Sequence, residues 1–215
     1  MNMKDRMLNG KPCLTFCDEL FKERMLQQRL QFKFNNLDPD DLEGRKALLR
    51  EMLGGCKENV WMERPIYFDY GKNIYVGENF YANTGTTILD GAKVTIGDNV
   101  FLAPYVGIYT AGHPVHPYPR NFGIEYNFPV TIGDNVWVGA QTVINPGVTI
   151  GSNVVIGSGS VVTKDIPDNV IAVGNPCRVL RKVTDEDKNY YFRKLKIDEE
   201  LYKYAESGVD LENRP

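Results

Sequence analysis

Residues 130–164 read VTIGDNVWVGAQTVINPGVTIGSNVVIGSGSVVTK, and their spacing decides the fold. Aliphatic-then-small pairs fall at Ile132-Gly133, Val138-Gly139, Ile144-Asn145, Ile150-Gly151, Ile156-Gly157 and Val162-Thr163, each six residues after the last. The same step links Ile96-Gly97, Leu102-Ala103 and Ile108, and before them Val76-Gly77, Ala82-Asn83 and Ile88-Leu89. Between Ile88 and Ile96 the step is eight, which places two extra residues at a corner. A short fixed period marks a repeat architecture, and a period of six is that of a β-helix. Ordinary antiparallel strands with Gly turns would instead show two-residue alternation and uneven spacing.

The physical basis is simple. A strand of three or four residues points one large aliphatic inward, and the small residue beside it accepts a turn conformation that β-branched residues resist. Three such units close a triangular coil of about 18 residues, and coils stack at roughly 4.8 Å with every backbone group paired to the next. Leaving out the aperiodic residues 111–128, residues 70–167 hold about four to five coils.

Charge divides the chain in three. Residues 1–60 carry 11 Lys/Arg and 10 Asp/Glu, residues 61–175 only 5 and 9, and residues 176–215 carry 9 and 9. A charge-poor β-helix over 61–175, between an N-terminal helical cap (1–60) and a C-terminal extension (176–215), follows. In the cap, Leu26, Leu30 and Phe34 step along one helix. Asp38 with Pro39 starts a second, whose apolar face is Leu42, Leu49, Met52 and Leu53 and whose end is Gly54-Gly55. A further helix is expected from near Thr184, with Asp187 completing a weak capping box and Tyr190, Tyr191, Leu195, Ile197, Leu201 and Tyr204 as its apolar face. The last residues, SGVDLENRP, read as a loose tail.

The totals exclude several classes. A net charge of -3 with no basic run gives no footprint for nucleic acid. No stretch approaches the roughly 20 apolar residues that span a bilayer. The start, MNMKDRMLNGKPC, has no apolar core ahead of a cleavage site, so a cytoplasmic protein is expected. The four cysteines, Cys13, Cys17, Cys56 and Cys177, have neither zinc-ligand spacing nor disulfide density and read as reduced thiols, with no metal.

One segment breaks the period. Residues 111–128, AGHPVHPYPRNFGIEYNF, hold the only two histidines, His113 and His116. A closed prism of aliphatic ladders offers no cleft, so an excursion thrown from one corner is where a site would be built.

The stretch TAGHPVHPYPR and the segments VTIGDNVWVGAQTVINPGVTIG and GSVVTKDIPDNVIAVGNPCRVLRK resemble the maltose/galactoside O-acetyltransferases over about residues 5–195. That family belongs to the hexapeptide-repeat acyltransferases. The resemblance implies a left-handed parallel β-helix, assembled as a homotrimer with active sites between subunits. Its handedness comes from the resemblance alone, because parallel crossovers are generally right-handed. It implies acetyl-CoA as co-substrate and a sugar hydroxyl as acceptor.

On the resemblance, His113 is the general base, a task that a group titrating near neutrality suits. Glu125 fixes the imidazole tautomer or contacts the sugar. Asn83 and Asp90 match positions facing the sugar, and Asp69 aligns with a sugar-lining position where galactoside enzymes carry serine; the lesser alternative for Asn83 is a plain turn residue. Thr15 stands where the family pattern has an aspartate, with Asp18 as its candidate substitute, and Gly91 stands where the galactoside type has a second aspartate. Ala140 and Ser158 are small positions along the pantetheine arm, Thr163 and Lys164 suit the phosphates, and Arg178 and Arg181 resemble the pair at the 3′-phosphate. Trp137 is expected to pack against the excursion or a neighbouring subunit. His116 is structural or substrate-lining.

Three rivals remain. A hexapeptide-repeat carbonic anhydrase needs three zinc histidines, and this chain has two. Relatives acting on antibiotics or serine differ in the excursion and the flanking helices, and the MLNGK…R…FN pattern favours the sugar type. A silent scaffold would not need His113 or the CoA-side residues.

Overall fold

The computed structural model describes residues 1–207; the C-terminal tail read from the sequence lies, past Ser207, outside the described residues. Three parallel sheets form a left-handed prism. One face stacks Gly55–Cys56, Ile74–Val76, Val94–Ile96, Val130–Ile132 and Thr149–Ile150. The second stacks Val60–Met62, Phe80–Ala82, Phe101–Leu102, Trp137–Val138, Val155–Ile156 and Val170–Val173. The third stacks Tyr67–Phe68, Thr87–Leu89, Gly107–Tyr109, Val143–Ile144 and Val161–Val162.

Ladder partners confirm the six-residue reading. Ile88, Ile108, Ile144 and Val162 align in one column, and Leu102, Val138, Ile156 and Ala172 in another. All eight are buried, and each large aliphatic so enclosed contributes about 1.5–3 kcal/mol. The solenoid makes about six turns, more than the four to five expected. The first turn starts at Gly55, and its strands (Val60-Trp61-Met62, Tyr67-Phe68) carry bulky residues without the small partner that reveals the period.

One corner carries a column of asparagines. Asn79, Asn99, Asn135, Asn153 and Asn169 all adopt φ between 55° and 60°. Their side-chain amides bond to one another up the stack at 2.9–3.1 Å, beginning from Asn59 at 2.6 Å. Asn tolerates the left-handed region and supplies both donor and acceptor, so one residue type serves both the turn and the ladder.

The helices close the open end of the first turn. They are α1 (Met3–Leu8), α2 (Asp18–Asn35) and α3 (Leu42–Met52). The strand Tyr67–Phe68 has a neighbour on one side only. On the other, the Gln31 amide donates to Phe68 O at 3.1 Å and accepts the Phe68 N–H, while Asn35 does the same for Ile66 at 3.0 Å each way. Arg45 of α3 donates to Met62 O at 2.6 Å. Side-chain amides thus replace a missing strand and blunt an edge that would otherwise pair with other chains.

Several helix readings change. α3 is capped by Asp41, which accepts Gly44 N–H; the Asp38 carboxylate is spent on Asp40 N–H in the preceding turn. α3 ends at Leu53 in extended conformation, and Gly54 instead donates to Gly71 and Ile74. Leu30 and Phe34 are buried but Leu26 is exposed. The capping box at Thr184 exists, yet it starts a 3-10 turn (Asp185–Asn189), not a long helix. A small hairpin, Tyr190–Phe192 with Leu195–Lys196, intervenes before the helix Glu199–Glu206.

The excursion is itself ordered as sheet. Strands Ala111–Gly112 and Ile124–Asn127 pair antiparallel, joined by the short helix α4 (Pro117–Asn121), and Cys13–Leu14 from the N-terminal region adds a third strand. Val130 pairs Val94 in register, so the insertion leaves the ladder unshifted. Phe128 N–H donates to Thr110 O at 2.8 Å and closes its root.

Candidate functional site

His113 follows directly on the strand Ala111–Gly112 and is exposed. Its Nδ1 lies 3.0 Å from the backbone oxygen of Ile124, on the returning strand. A carbonyl only accepts, so Nδ1 carries the proton and Nε2 presents a lone pair. The imidazole is therefore oriented by the main chain. The second histidine caps α4: His116 Nδ1 accepts Tyr118 N–H at 3.1 Å.

Glu125 belongs to a different group. Its Oε1 accepts from Asn127 Nδ2 at 3.2 Å, and its strand position pairs with Cys13. Its charge reaches Asp69 and Tyr70. Asp69 is half-buried, makes no hydrogen bond among the described residues, and lines a cleft of about 390 Å³ with Gln28, Gln31, Asn35, Tyr67 and Leu89. Burial first, then the nearby Asp90 charge, pushes its carboxyl up to about 6, against the pull of Arg24. Arg24 donates to Tyr70 Oη at 2.7 Å and to Thr15 O at 2.9 Å. Burial drives the Tyr70 phenol well above its ordinary range, so it stays a neutral donor.

Asp90 and Asp18 are placed differently. Asp90 is 0 % exposed; its carboxylate accepts Tyr70 N–H at 2.9 Å and Asn73 N–H at 3.2 Å, so it pins the corner where two residues are inserted. Asp18 stands exposed at the start of α2, with no hydrogen bond to this group. Position 15 supplies a backbone carbonyl instead of a carboxylate.

Asn83 lines another cleft, of about 450 Å³, with Tyr81, Phe101, Ala103 and Trp137. No residue of the excursion lines it. Trp137 is 55 % exposed there. Asn83 also serves as a turn residue, because its Oδ1 accepts Thr84 N–H at 2.8 Å.

On the CoA side, Gly159 N–H donates to Ala140 O at 2.8 Å, which sets Ala140 and Ser158 one coil apart on one corner. Thr163 and Lys164 follow the strand Val161–Val162 and are exposed. The Arg178 side chain is exposed and, among the described residues, bonds only the adjacent Cys177 O at 2.7 Å. Arg181 differs: both terminal nitrogens bond Asp187 at 2.8 Å, so its fork is already filled. That pairing holds the Asp187 carboxyl well below the carboxylate range.

Sequence reasoning missed Arg24, Tyr70 and Asn127. Arg24 and Tyr70 are 46 positions apart, and no local pattern announces such a contact. Among the described residues, no group of three or more His, Cys, Asp or Glu could hold a metal ion, and no helix is long and apolar enough to cross a membrane.

The chain matches two family models: the maltose acetyltransferase hexapeptide capping motif over residues 6–57, and the bacterial transferase hexapeptide (six repeats) over 129–164. It is 50% identical over 198 residues to a galactoside O-acetyltransferase of Escherichia coli (strain K12), covering 92% of this chain and 98% of the relative. A galactoside acetyltransferase solved in complex with coenzyme A superposes with a TM-score of 0.89 at 51% identity, over 92% of this chain and 99% of that one. A maltose O-acetyltransferase from Clostridium difficile 630 does so with a TM-score of 0.84 at 53% identity, over 86% and 99%. The cap whose amides seal the first turn is the part that the capping-motif model recognises, and with the repeats above it, the chain belongs to the maltose/galactoside O-acetyltransferase family of acetyl-CoA-dependent acyltransferases.

Proposed function

We propose that this protein moves the acetyl group of acetyl-CoA directly to a hydroxyl of a sugar acceptor of galactoside, maltose or glucose type, with His113 as general base. The observation that carries this reading is the Nδ1 contact with Ile124 O, which leaves Nε2 free to accept a proton. A sugar hydroxyl is a weak nucleophile at neutral pH. Nε2 takes its proton as the oxygen attacks the thioester carbonyl, and the imidazolium returns that proton to the departing CoA sulfur. Glu125 and Asp69 are the acceptor-side groups: carboxylates that receive hydroxyl protons where the sugar is desolvated. The relatives' names, galactoside and maltose acetyltransferase, support that acceptor class.

Acetyl-CoA runs along the Ala140–Ser158 corner, where small side chains admit a narrow arm, with Thr163, Lys164 and Arg178 facing its phosphates. Sites form between protomers of a homotrimer. The cleft at Asn83 has no excursion residue of its own chain, so a neighbour's excursion completes it. Turnover of acetyl-CoA against glucose, maltose, galactosides and glucosamine derivatives, with His113→Ala as control, tests this reading. Sugar-dependent release of CoA that the variant lacks supports it; equal release by both proteins refutes the assigned base.

A further inference from the structure

At the root of the excursion, Gly91 and Asn127 compete for one space. Gly91 has no left-handed φ, so the backbone does not require glycine there. Yet a Cβ at 91 would lie 1.9 Å from Asn127 Oδ1 and 2.6 Å from its Cγ, and its three nearest atoms all belong to the Asn127 amide. That amide has no room to withdraw. Asn127 is 0 % exposed, its Nδ2 donates to Glu125 Oε1 at 3.2 Å and faces Cys13 Sγ at 3.9 Å, and Thr110 Oγ1 lies 3.4 Å from its Oδ1. Thr110 is itself held, donating to Leu89 O and accepting Ala92 N–H.

We propose that Asn127 is a specificity-determining residue, coupled to Gly91: its amide occupies the place of a side chain at 91 and fixes the Glu125 carboxylate on the acceptor side. This rests on the acceptor reading above. The coil corner then offers no polar side chain of its own at position 91. The acceptor is read by Glu125, which the excursion carries and Asn127 aims. A polar side chain at 91 can be reached only by shrinking residue 127, and doing so frees Glu125. The two positions therefore change acceptor preference as a unit.

The test is a four-protein cycle: unaltered, Gly91→Asp, Asn127→Ser and the double variant. Tm is measured for each, with KM and kcat for acetyl-CoA and for a glucoside and a galactoside. Gly91→Asp alone is expected to lower Tm, and Asn127→Ser in the same chain to restore most of that loss. Asn127→Ser alone raises acceptor KM about tenfold while acetyl-CoA KM stays within about twofold, a split that loosened packing would not produce. The double variant shifts the galactoside-to-glucoside ratio of kcat/KM by about tenfold or more. Tm losses that simply add, or an unchanged ratio, overturn the coupling. If the unaltered protein acetylates no sugar, the acceptor reading falls and this role with it, and the Tm cycle alone still reports whether the two positions share space.

Discussion

The Nδ1 atom of His113 and the backbone oxygen of Ile124 sit 3.0 Å apart across the two strands of the excursion. Because the orienting group is main chain, no side-chain substitution removes it, and the usual carboxylate partner is not needed. His113→Ala is expected to keep the fold, since the side chain is exposed, and to lower sugar acetylation by about 10²-fold or more. Initial rates with the best acceptor check this, and near-normal turnover would remove His113 from the mechanism.

Glu125 separates from the base on the same argument. Glu125→Gln keeps the Ile124 carbonyl in place, so the pH dependence of kcat assigned to His113 should not move. What changes is acceptor KM, raised about tenfold by loss of a charged hydrogen-bond acceptor. A shifted kcat–pH profile with unchanged acceptor KM would put Glu125 back beside the imidazole.

Asp69 gives a stability signature. Its carboxyl titrates near 3.8 when unfolded and is pushed up to about 6 in the fold. The folded chain thus binds this proton more tightly, and stability falls as pH rises through roughly 4 to 6, with the full cost present above that window. That rise corresponds to about 3 kcal/mol, which partial exposure reduces to about 1–2. Asp69→Asn should therefore stabilise the protein at about pH 8 and do nothing at about pH 3.5. Denaturation midpoints across that range measure it, and equal gains at both ends would contradict the assignment.

What the sequence showed and hid follows one line. The columns through Ile144 and Ile150 were legible because one aliphatic and one small residue recur at a fixed interval, and position alone dictates their burial. The first turn was not, because Trp61 and Phe68 lack the small partner; the edge at Ile66 and Phe68 is completed by amides of α2 from over 30 residues away, and the Trp61 strand is held by Arg45 of α3. The Thr184 and Asp187 box is legible in sequence but its 3-10 form is not, since the same two hydrogen bonds cap either helix. His113 stood out as one of two histidines in the one aperiodic stretch. Asp69, Arg24 and Asn127 acquire meaning only when the N-terminal strand at Cys13 pairs with the excursion at Glu125.

The asparagine column makes a test of the turn. Asn135 holds φ 56° and bonds to Asn99 and Asn153. Asn135→Ala loses two ladder bonds and must keep a left-handed backbone with a Cβ, a combined cost of about 1–2 kcal/mol. Asn135→Gly loses the bonds but not the conformation and should cost less. Thermal midpoints of the two variants decide: a glycine as harmful as alanine would mean that the ladder, not the backbone, dominates.

Arg178 and Arg181 look alike in sequence and differ in availability. Arg181 already holds a carboxylate with both terminal nitrogens, whereas the Arg178 side chain, among the described residues, bonds only its neighbour's carbonyl. A phosphate must displace Asp187 from the first and nothing charged from the second, and bidentate guanidinium–carboxylate pairs are among the stronger polar contacts. Arg178→Ala should therefore raise the KM for acetyl-CoA more than that for sugar, and more than Arg181→Ala does. Asp187→Asn, which weakens the competing pair, should leave acetyl-CoA KM unchanged or lower it. Steady-state kinetics with each substrate varied in turn distinguish the cases. A larger rise in sugar KM for Arg178→Ala would show that the cofactor lies elsewhere, and a larger acetyl-CoA effect for Arg181→Ala would show that the fork opens on binding.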